Sequence, residues 1–143
     1  MPHKNLNETH DLLKQWEKAY KKGLLSFWLL LLLHGKPAYP YSLAEAIREL
    51  SQGTVSTDEQ SIYRALNRFR SMGLVKSELM KSPIGPQRRY YCLTEKGTDL
   101  LREFTRRNIL VFEAPSVRER VQTVLQKEAA SFQLEVIDDV PQT

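Results

Sequence analysis

The stretch from Asp58 to Thr94 limits the possible folds of this chain more than any other, because it predicts one helix joined directly to one hairpin. Apolar residues recur at helical spacing and end at Met72-Gly73, where the glycine can cap the helix. Two β-prone segments follow, Leu74–Met80 and Arg88–Leu93. The turn between them contains two prolines, which block further strand pairing. The sequence therefore predicts a helix beside a two-stranded β-hairpin.

Two further helices are predicted before this stretch. The first runs from Glu8 to Lys22, after a frayed start at residues 1–7, and its apolar positions at helical spacing are Leu12, Leu13, Trp16 and Tyr20. Gly23 is expected to end it, and a strongly apolar helix then runs from Leu24 to His34. The apolar run in this helix is about ten residues long, about half of what a membrane-spanning helix needs. We therefore expect it to be buried in the core.

N-cap residues predict where the other helices begin. Three capping boxes, in which a Ser or Thr precedes a Glu or Gln by three positions, predict N-caps at Ser42, Thr57 and Ser116. Thr94 is predicted to cap a further helix. The apolar residues that this last helix is expected to bury are Leu100, Leu101 and Phe104.

The predicted order is four helices, two strands and two helices. Three core helices followed by a basic hairpin, with only the short loop 51–56 between the second and the third, predict a winged helix-turn-helix. The fold class is mainly α (α+β), with a two-stranded β-wing. The expected parts are an N-terminal amphipathic helix, the winged domain, a C-terminal helical dimerisation region and a disordered tail, at residues 1–22, 23–101, 102–137 and 138–143.

The positive charge is concentrated in the helix and the hairpin. The whole chain has a net charge of +4, and residues 58–91 contain seven basic and three acidic residues. Residues 113–143 contain three basic and six acidic residues. A chain in which one region meets phosphate and another does not has this asymmetry. An ordinary solvated basic face has the same charge asymmetry, so the charge alone does not show that this region meets phosphate.

One face of the helix after Asp58 carries side-chain types that read DNA bases. Arg64, Asn67 and Arg68 lie at positions i, i+3 and i+4 and so project together. Arginine pairs with guanine, and asparagine with adenine, in the major groove. The residues predicted to contact double-stranded DNA are Gln60, Ser61, Tyr63, Arg64, Asn67, Arg68, Lys81, Arg88 and Arg89. A solvated outer face is the alternative for the helix.

Two apolar stripes predict that a second copy of the chain is a partner. The helix expected after Ser116 has apolar residues on one side only, in a narrow stripe typical of a helix–helix seam. These residues are Val117, Val121, Val124, Leu125 and Phe132. The stripe of the N-terminal helix, with Leu12 and Trp16, packs either on its own domain or on the partner subunit. We therefore expect a homodimer.

Other classes of protein are disfavoured by what the sequence lacks. The single cysteine, Cys92, rules out an internal disulfide and suits a reducing cytoplasm. There is no N-terminal signal pattern, so we expect a cytoplasmic protein that joins the nucleoid when bound to DNA. The three histidines are scattered, and the sequence has no catalytic triad or phosphate-binding glycine loop. We expect no metal, cofactor, membrane contact or enzymatic activity.

Four segments resemble the PadR family of bacterial transcriptional regulators. They are residues 29–35, Tyr39–Leu43, Ile62–Val75 and Arg88–Gly97. The last segment, which spans the second wing strand and the helix start after it, is the most specific. The resemblance covers about half of the chain. Pro40 stands where the family usually has glycine, and many members lack the N-terminal helix.

The resemblance implies a dimeric DNA-binding regulator, usually a repressor, whose C-terminal helix builds the dimer. It also implies a phosphate contact for Tyr63, and packing of this ring on the first core helix is the alternative. Strand alternation points Arg88 and Arg89 to opposite faces, so one of them can be a structural salt-bridge partner. Tyr91 is expected in the sheet and the core.

Two other functions stay open at this point. A winged helix can bind an acidic protein instead of DNA, and affinity for random duplex DNA at low salt would separate these two functions. Trp16, Trp28 and Phe27 could instead line a pocket for a small effector of unknown identity. Core packing explains these aromatic residues more simply, and quenching of tryptophan fluorescence by candidate compounds would reveal such a pocket.

Overall fold

The structure, a computed structural model, describes residues 2–126, with side chains from Leu6 onward. Its regular elements are α1 (Pro2–Gly35), α2 (Pro40–Leu50), α3 (Glu59–Ser71), β1 (Val75–Met80), β2 (Arg88–Leu93), α4 (Glu95–Phe104) and α5 (Pro115–Leu125). A π-helical segment, Thr105–Ile109, and a 3-10 segment, Leu110–Glu113, connect α4 to α5. The predictions for Phe132 and for the tail 138–143 lie outside the described residues.

The order of these elements confirms the predicted winged helix-turn-helix. Helices α2 and α3 form the helix-turn-helix, and β1 and β2 form an antiparallel wing in which Val75 lies opposite Leu93 and Met80 opposite Arg88. By its internal contacts the chain divides into two compact units, Met1–Leu101 and Arg102–Thr143. The helix-turn-helix and the wing both belong to the first unit.

The hydrophobic core joins the first three helices to the wing. The apolar run 24–33 of α1 contributes to it as predicted, and no described helix is long and apolar enough to cross a membrane. Each of α1, α2 and α3 buries one face, which follows from the helical spacing of its apolar residues. The side chains with almost no exposed surface are Leu29, Leu43, Ile47, Ile62, Leu66 and Tyr91.

The predicted break at Gly23 is wrong, because α1 is one continuous helix of 34 residues. A glycine inside a helix costs only about 1 kcal/mol relative to alanine, which the flanking helix-forming residues can offset. No heavy atom lies within 4 Å of where a Cβ of Gly23 would be. The helix is therefore about 50 Å long, and its first half carries the exposed side chains Leu12 and Trp16 beyond the core.

Three predicted N-caps are also wrong, and prolines explain two of the errors. Helix α2 begins at Pro40 with Tyr39 as N-cap, and Ser42 instead bonds back from the third helical position to the backbone of Tyr39. Proline suits the first helical position because its missing N–H would have no helical partner there. Pro115 likewise begins α5, which leaves Ser116 inside the helix. Asp58, not Thr57, caps α3.

The helix predicted after Thr94 begins where expected but buries fewer residues. Gly97 donates its backbone N–H to Thr94 Oγ1 at 3.1 Å, which confirms the cap. Leu101 is buried, whereas Leu100 and Phe104 are exposed. Leu100 and Phe104 are four positions apart and share one side of the helix, about 100° and 60° around the axis from Leu101. The described residues thus cover only part of the apolar side of α4.

Asp58 gives α3 a cap whose strength depends on pH. The Ser61 backbone N–H donates to Asp58 Oδ1 at 2.7 Å, and this bond is the main reason that the pKa of Asp58 lies below its ordinary value of 3.8. A lowered pKa stabilises the fold above the ordinary value, and this contribution is lost as pH falls through the lowered one.

We therefore expect the thermal unfolding temperature of the wild type to fall relative to that of Asp58→Asn when pH drops below about 4. Asparagine caps a helix through an oxygen that does not titrate, so the variant controls for every other carboxylate. Unfolding temperatures measured from pH 7 to pH 2 check this difference. Parallel profiles for the two proteins would contradict the role of Asp58.

Candidate nucleic-acid interface

One face of helix α3 is buried in the core, and the opposite face is exposed. Ile62, Leu66 and Phe69 are buried, and the Asp58 cap fixes the start of the helix. Met72 and Gly73 end it, and Gly73 adopts a φ of 77°, which suits glycine. Because both ends and the buried face are fixed, the positions at which the exposed side chains leave the helix are fixed too.

The exposed face of α3 carries the two arginines predicted to read bases. Arg64 and Arg68 are both exposed, four positions apart on the same side. The Arg64 Nη2 lies 3.3 Å from Ser61 Oγ, and the Arg68 guanidinium lies 5.6 Å from the centre of the Phe69 ring. Both are therefore long cationic side chains with weak neighbours, free to reorient toward a ligand.

Asn67 is less free than the sequence suggested. It is only partly exposed, and its Oδ1 is shielded from solvent without a hydrogen-bond partner among the described residues. An amide oxygen in that position must gain a partner or move when the helix binds. Its role as an adenine reader stays a prediction, as do the base contacts of Arg64 and Arg68.

The wing arginines have defined positions on two sides of β2. Arg89 donates from Nη1 to Ser77 Oγ at 3.0 Å, and Arg70 of α3 donates to the same oxygen at 3.3 Å. Ser77 therefore links the wing to the end of α3. Arg88 instead stacks its guanidinium 4.5 Å from the centre of the Tyr39 ring. These contacts are to a hydroxyl and a ring, not to the carboxylate that the salt-bridge alternative required.

A third short segment supports the wing. Ala38 pairs with Tyr91 as an isolated antiparallel bridge, with backbone N–O distances of 3.0 and 2.8 Å. This pairing places Tyr39 beside Tyr90, whose ring centre is 5.2 Å away in an edge-to-face arrangement. The start of α2 is thereby held against the outer edge of β2.

A cleft of about 500 Å³ opens where α2, α3 and β2 meet. Aromatic and cationic side chains dominate its walls, and one carboxylate accompanies them. The lining residues are Tyr39, Pro40, Tyr41, Glu59, Tyr63, Arg88, Arg89 and Tyr91. A smaller recess beside it is lined by Pro40, Glu59, Gln60 and Tyr63.

The structure brings several of the predicted DNA-contacting residues to this place. Tyr63, Arg88 and Arg89 line the cleft, and Gln60 lines the recess beside it. Tyr63 is half-exposed, which is compatible both with a phosphate contact and with partial packing of its ring on the first core helix. Lys81 is exposed in the turn of the wing. The contacts of all these residues with DNA stay predictions.

Sequence reasoning did not assign Tyr39, Tyr41, Glu59 or Tyr91 to the site. Strand alternation places Tyr91 on the same face as Arg89, which was the one local signal for its position. Burial raises the pKa of Tyr91, and Tyr63 adds to this, while Arg70 and Arg89 act in the opposite direction. The residues come together only because three distant segments meet.

The described residues offer no metal site, since none of their His, Cys, Asp and Glu side chains form a group of three or more that could hold an ion. The cleft and the face of α3 instead combine guanidinium groups, phenols and an exposed helix. This arrangement suits a polyanion with regularly spaced phosphates.

Comparison with known proteins supports this interpretation of the site. Residues 29–103 match the model of the transcriptional regulator PadR-like family. No curated protein matches the chain. A PadR-like transcriptional regulator from Bacillus cereus has a solved structure that is 31% identical, with a TM-score of 0.58, and the match covers 71% of this chain and 94% of that one.

Two more distant structures share the fold. A PadR family regulator from Eggerthella lenta is 23% identical, with a TM-score of 0.64, over 81% of this chain and 97% of that one. Bacillus subtilis PadR, solved in complex with operator DNA, is 14% identical, with a TM-score of 0.54, over 84% of this chain and 80% of that one. At these identities the likeness concerns the fold alone.

Proposed function

The chain belongs to the PadR-like family of transcriptional regulators, and from this premise we propose that it is a repressor that binds a promoter as a homodimer. Each subunit would place α3 in the major groove, and two such helices would lie in successive grooves about one helical turn apart. A two-fold dimer of this kind requires a pseudo-palindromic site. Occupancy of that site would exclude the transcription machinery sterically.

One observation carries the DNA-binding part of this proposal. Arg64 and Arg68 project from a helix whose opposite face is locked in the core, and the arginine-bearing wing lies beside that helix. A rigid helix with free arginines is the element that reads guanine in the major groove. The site has no group of metal ligands among the described residues, and regulation by occupancy requires no enzymatic activity.

The dimer is proposed from two exposed apolar surfaces. On α1, Trp16 is 74% exposed and Leu12 is 63% exposed. On α5, Val124 and Leu125 are still more exposed, and Val121 is half-exposed beside them. Val117, which the sequence also assigns to the seam, is partly buried. Apolar surface of this extent marks a protein interface, and a second copy of the chain would cover it.

The proposed function is tested with random-sequence duplex DNA of about 20 base pairs, followed by fluorescence anisotropy at increasing salt. The wild type should bind at about 50 mM salt, and its affinity should fall on the order of a thousandfold by 200 mM as counterions are released. A protein without affinity for DNA at low salt would instead be a winged helix for protein partners. DNA binding would also place the protein in the cytoplasm, on the nucleoid.

A further inference from the structure

The Tyr91 side chain has a hydroxyl without a partner. The residue is only 1% exposed, and its hydroxyl makes no hydrogen bond with any described residue. The backbone bridge to Ala38 holds the main chain of Tyr91 in place beside the start of α2. An unpaired buried hydroxyl destabilises a fold, and native proteins keep such groups where a ligand can satisfy them.

Cationic side chains share this cleft with Tyr91. Tyr91 lines the cleft together with Arg88, Arg89 and Tyr63. Arg89 is further positioned by its bond to Ser77, which it shares with Arg70. A neutral O–H donor beside guanidinium groups is suited to an oxygen that carries negative charge.

We propose that this cleft receives one backbone phosphate of the bound duplex, and that the Tyr91 hydroxyl donates a hydrogen bond to a phosphate oxygen from the floor of the cleft. The inference rests on the proposed function, since it concerns the same face of the molecule. A phosphate held between the start of α2, the first turn of α3 and β2 fixes the depth and the register of α3 in the groove. Tyr91 is thus a positioning residue, not a base reader.

Glu59 is the one carboxylate that lines the cleft. It lies in the first turn of α3, where the helix dipole stabilises it in the free protein. A phosphate entering the cleft would be repelled by this charge. We therefore expect Glu59→Gln to strengthen DNA binding severalfold at low salt, and by more than Asp58→Asn, which removes the same charge from the same end of α3 without lining the cleft.

The direct test is Tyr91→Phe, which keeps the buried ring and removes only the hydroxyl. Its affinity for the random-sequence duplex should fall about tenfold, as expected for one hydrogen bond to a charged oxygen. The slope of log affinity against log salt should not change, because a neutral hydroxyl releases no counterion. Arg89→Gln is the matched control, and it should lower that slope by about one.

A purely structural role of the hydroxyl has a different signature. Tyr91→Phe should unfold at the same temperature as the wild type or higher, because it removes an unpaired buried group. A lower unfolding temperature would show that the hydroxyl has a partner within the protein, and would overturn the proposal. Equal DNA affinity of the wild type and Tyr91→Phe would also overturn the proposed role of the Tyr91 hydroxyl. The proposed function would still stand in that case, because the wild type would bind DNA.

The phosphate could also come from a small molecule in solution. Unfolding temperatures in inorganic phosphate and in chloride, at equal ionic strength, separate the two sources. If phosphate stabilises the wild type but not Tyr91→Phe, and both bind DNA equally, the cleft takes a free anion and the assignment to the DNA backbone is wrong. A wild type that does not bind duplex DNA at all would remove the proposed function itself.

Discussion

The double variant Arg64→Ala/Arg68→Ala is expected to lose at least about thirtyfold in sequence-specific DNA binding. Each bidentate pair between arginine and guanine contributes about 1–3 kcal/mol of discrimination, which corresponds to about 5- to 150-fold per arginine. The fold should survive, because both side chains are exposed and alanine is the best helix former. A gel-shift titration on a duplex selected for binding to the wild type measures the loss.

The control for this variant removes the same charge elsewhere. Arg106 and Arg118 are exposed, and they pair with Glu103 and Glu113 respectively. Arg106→Ala/Arg118→Ala therefore lowers the net charge by the same amount without touching α3. It should bind the selected duplex within a fewfold of the wild type. If the α3 variant bound equally well, the face of α3 assigned to base reading would be the wrong one.

Gly97→Ala is expected to destabilise the winged helix strongly. A Cβ at this position would lie 2.1 Å from the backbone oxygen of Leu74 and 3.2 Å from Cδ2 of Leu93. Leu74 is buried, and its oxygen accepts the backbone N–H of Thr94 at 3.0 Å, so it cannot give way. Helix α4 would have to move away from the sheet, at a cost of about 3 kcal/mol.

Thermal unfolding measures this cost, and a fall on the order of 15 °C is expected for a unit of this size. Gly23→Ala is the matched control, since it makes the same chemical change where no atom lies within 4 Å of the new Cβ. It should be neutral or raise stability by up to about 1 kcal/mol, because alanine favours a helix. An unfolding temperature of Gly97→Ala equal to that of the wild type would contradict the close packing of α4.

The helix and the hairpin could be predicted from the sequence because their signals are local. Ile62, Leu66 and Phe69 recur at helical spacing, and Gly73 adopts a positive φ where the helix ends. Both signals depend only on neighbours along the chain. The helix ends were harder to predict. Ser42 and Ser116 fit a capping box, but the two helices begin earlier, at Pro40 and Pro115. In these two helices the preference of proline for the first helical position outweighs the preference of serine for the N-cap.

The candidate site was only partly visible from the sequence, because the cleft depends on contacts between distant segments. Nothing near Tyr91 in the sequence reveals its bridge to Ala38, and nothing near Tyr39 reveals its stacking with Arg88. The partial burial of Asn67 also depends on contacts between distant segments. Helical spacing places Asn67 beside Arg64 but does not show what packs against Asn67. The exposed arginines were predictable because they need no partner in the protein.

Two copies of α3 are expected to read the two halves of one DNA site. The most direct measurement is selection of bound duplexes from a random pool by the purified full chain, followed by sequencing of those retained. A two-fold dimer should retain an inverted repeat whose half-sites are centred about 10 base pairs apart, one turn of DNA. Retention of a single unrepeated half-site, or of no common sequence at all, would contradict it.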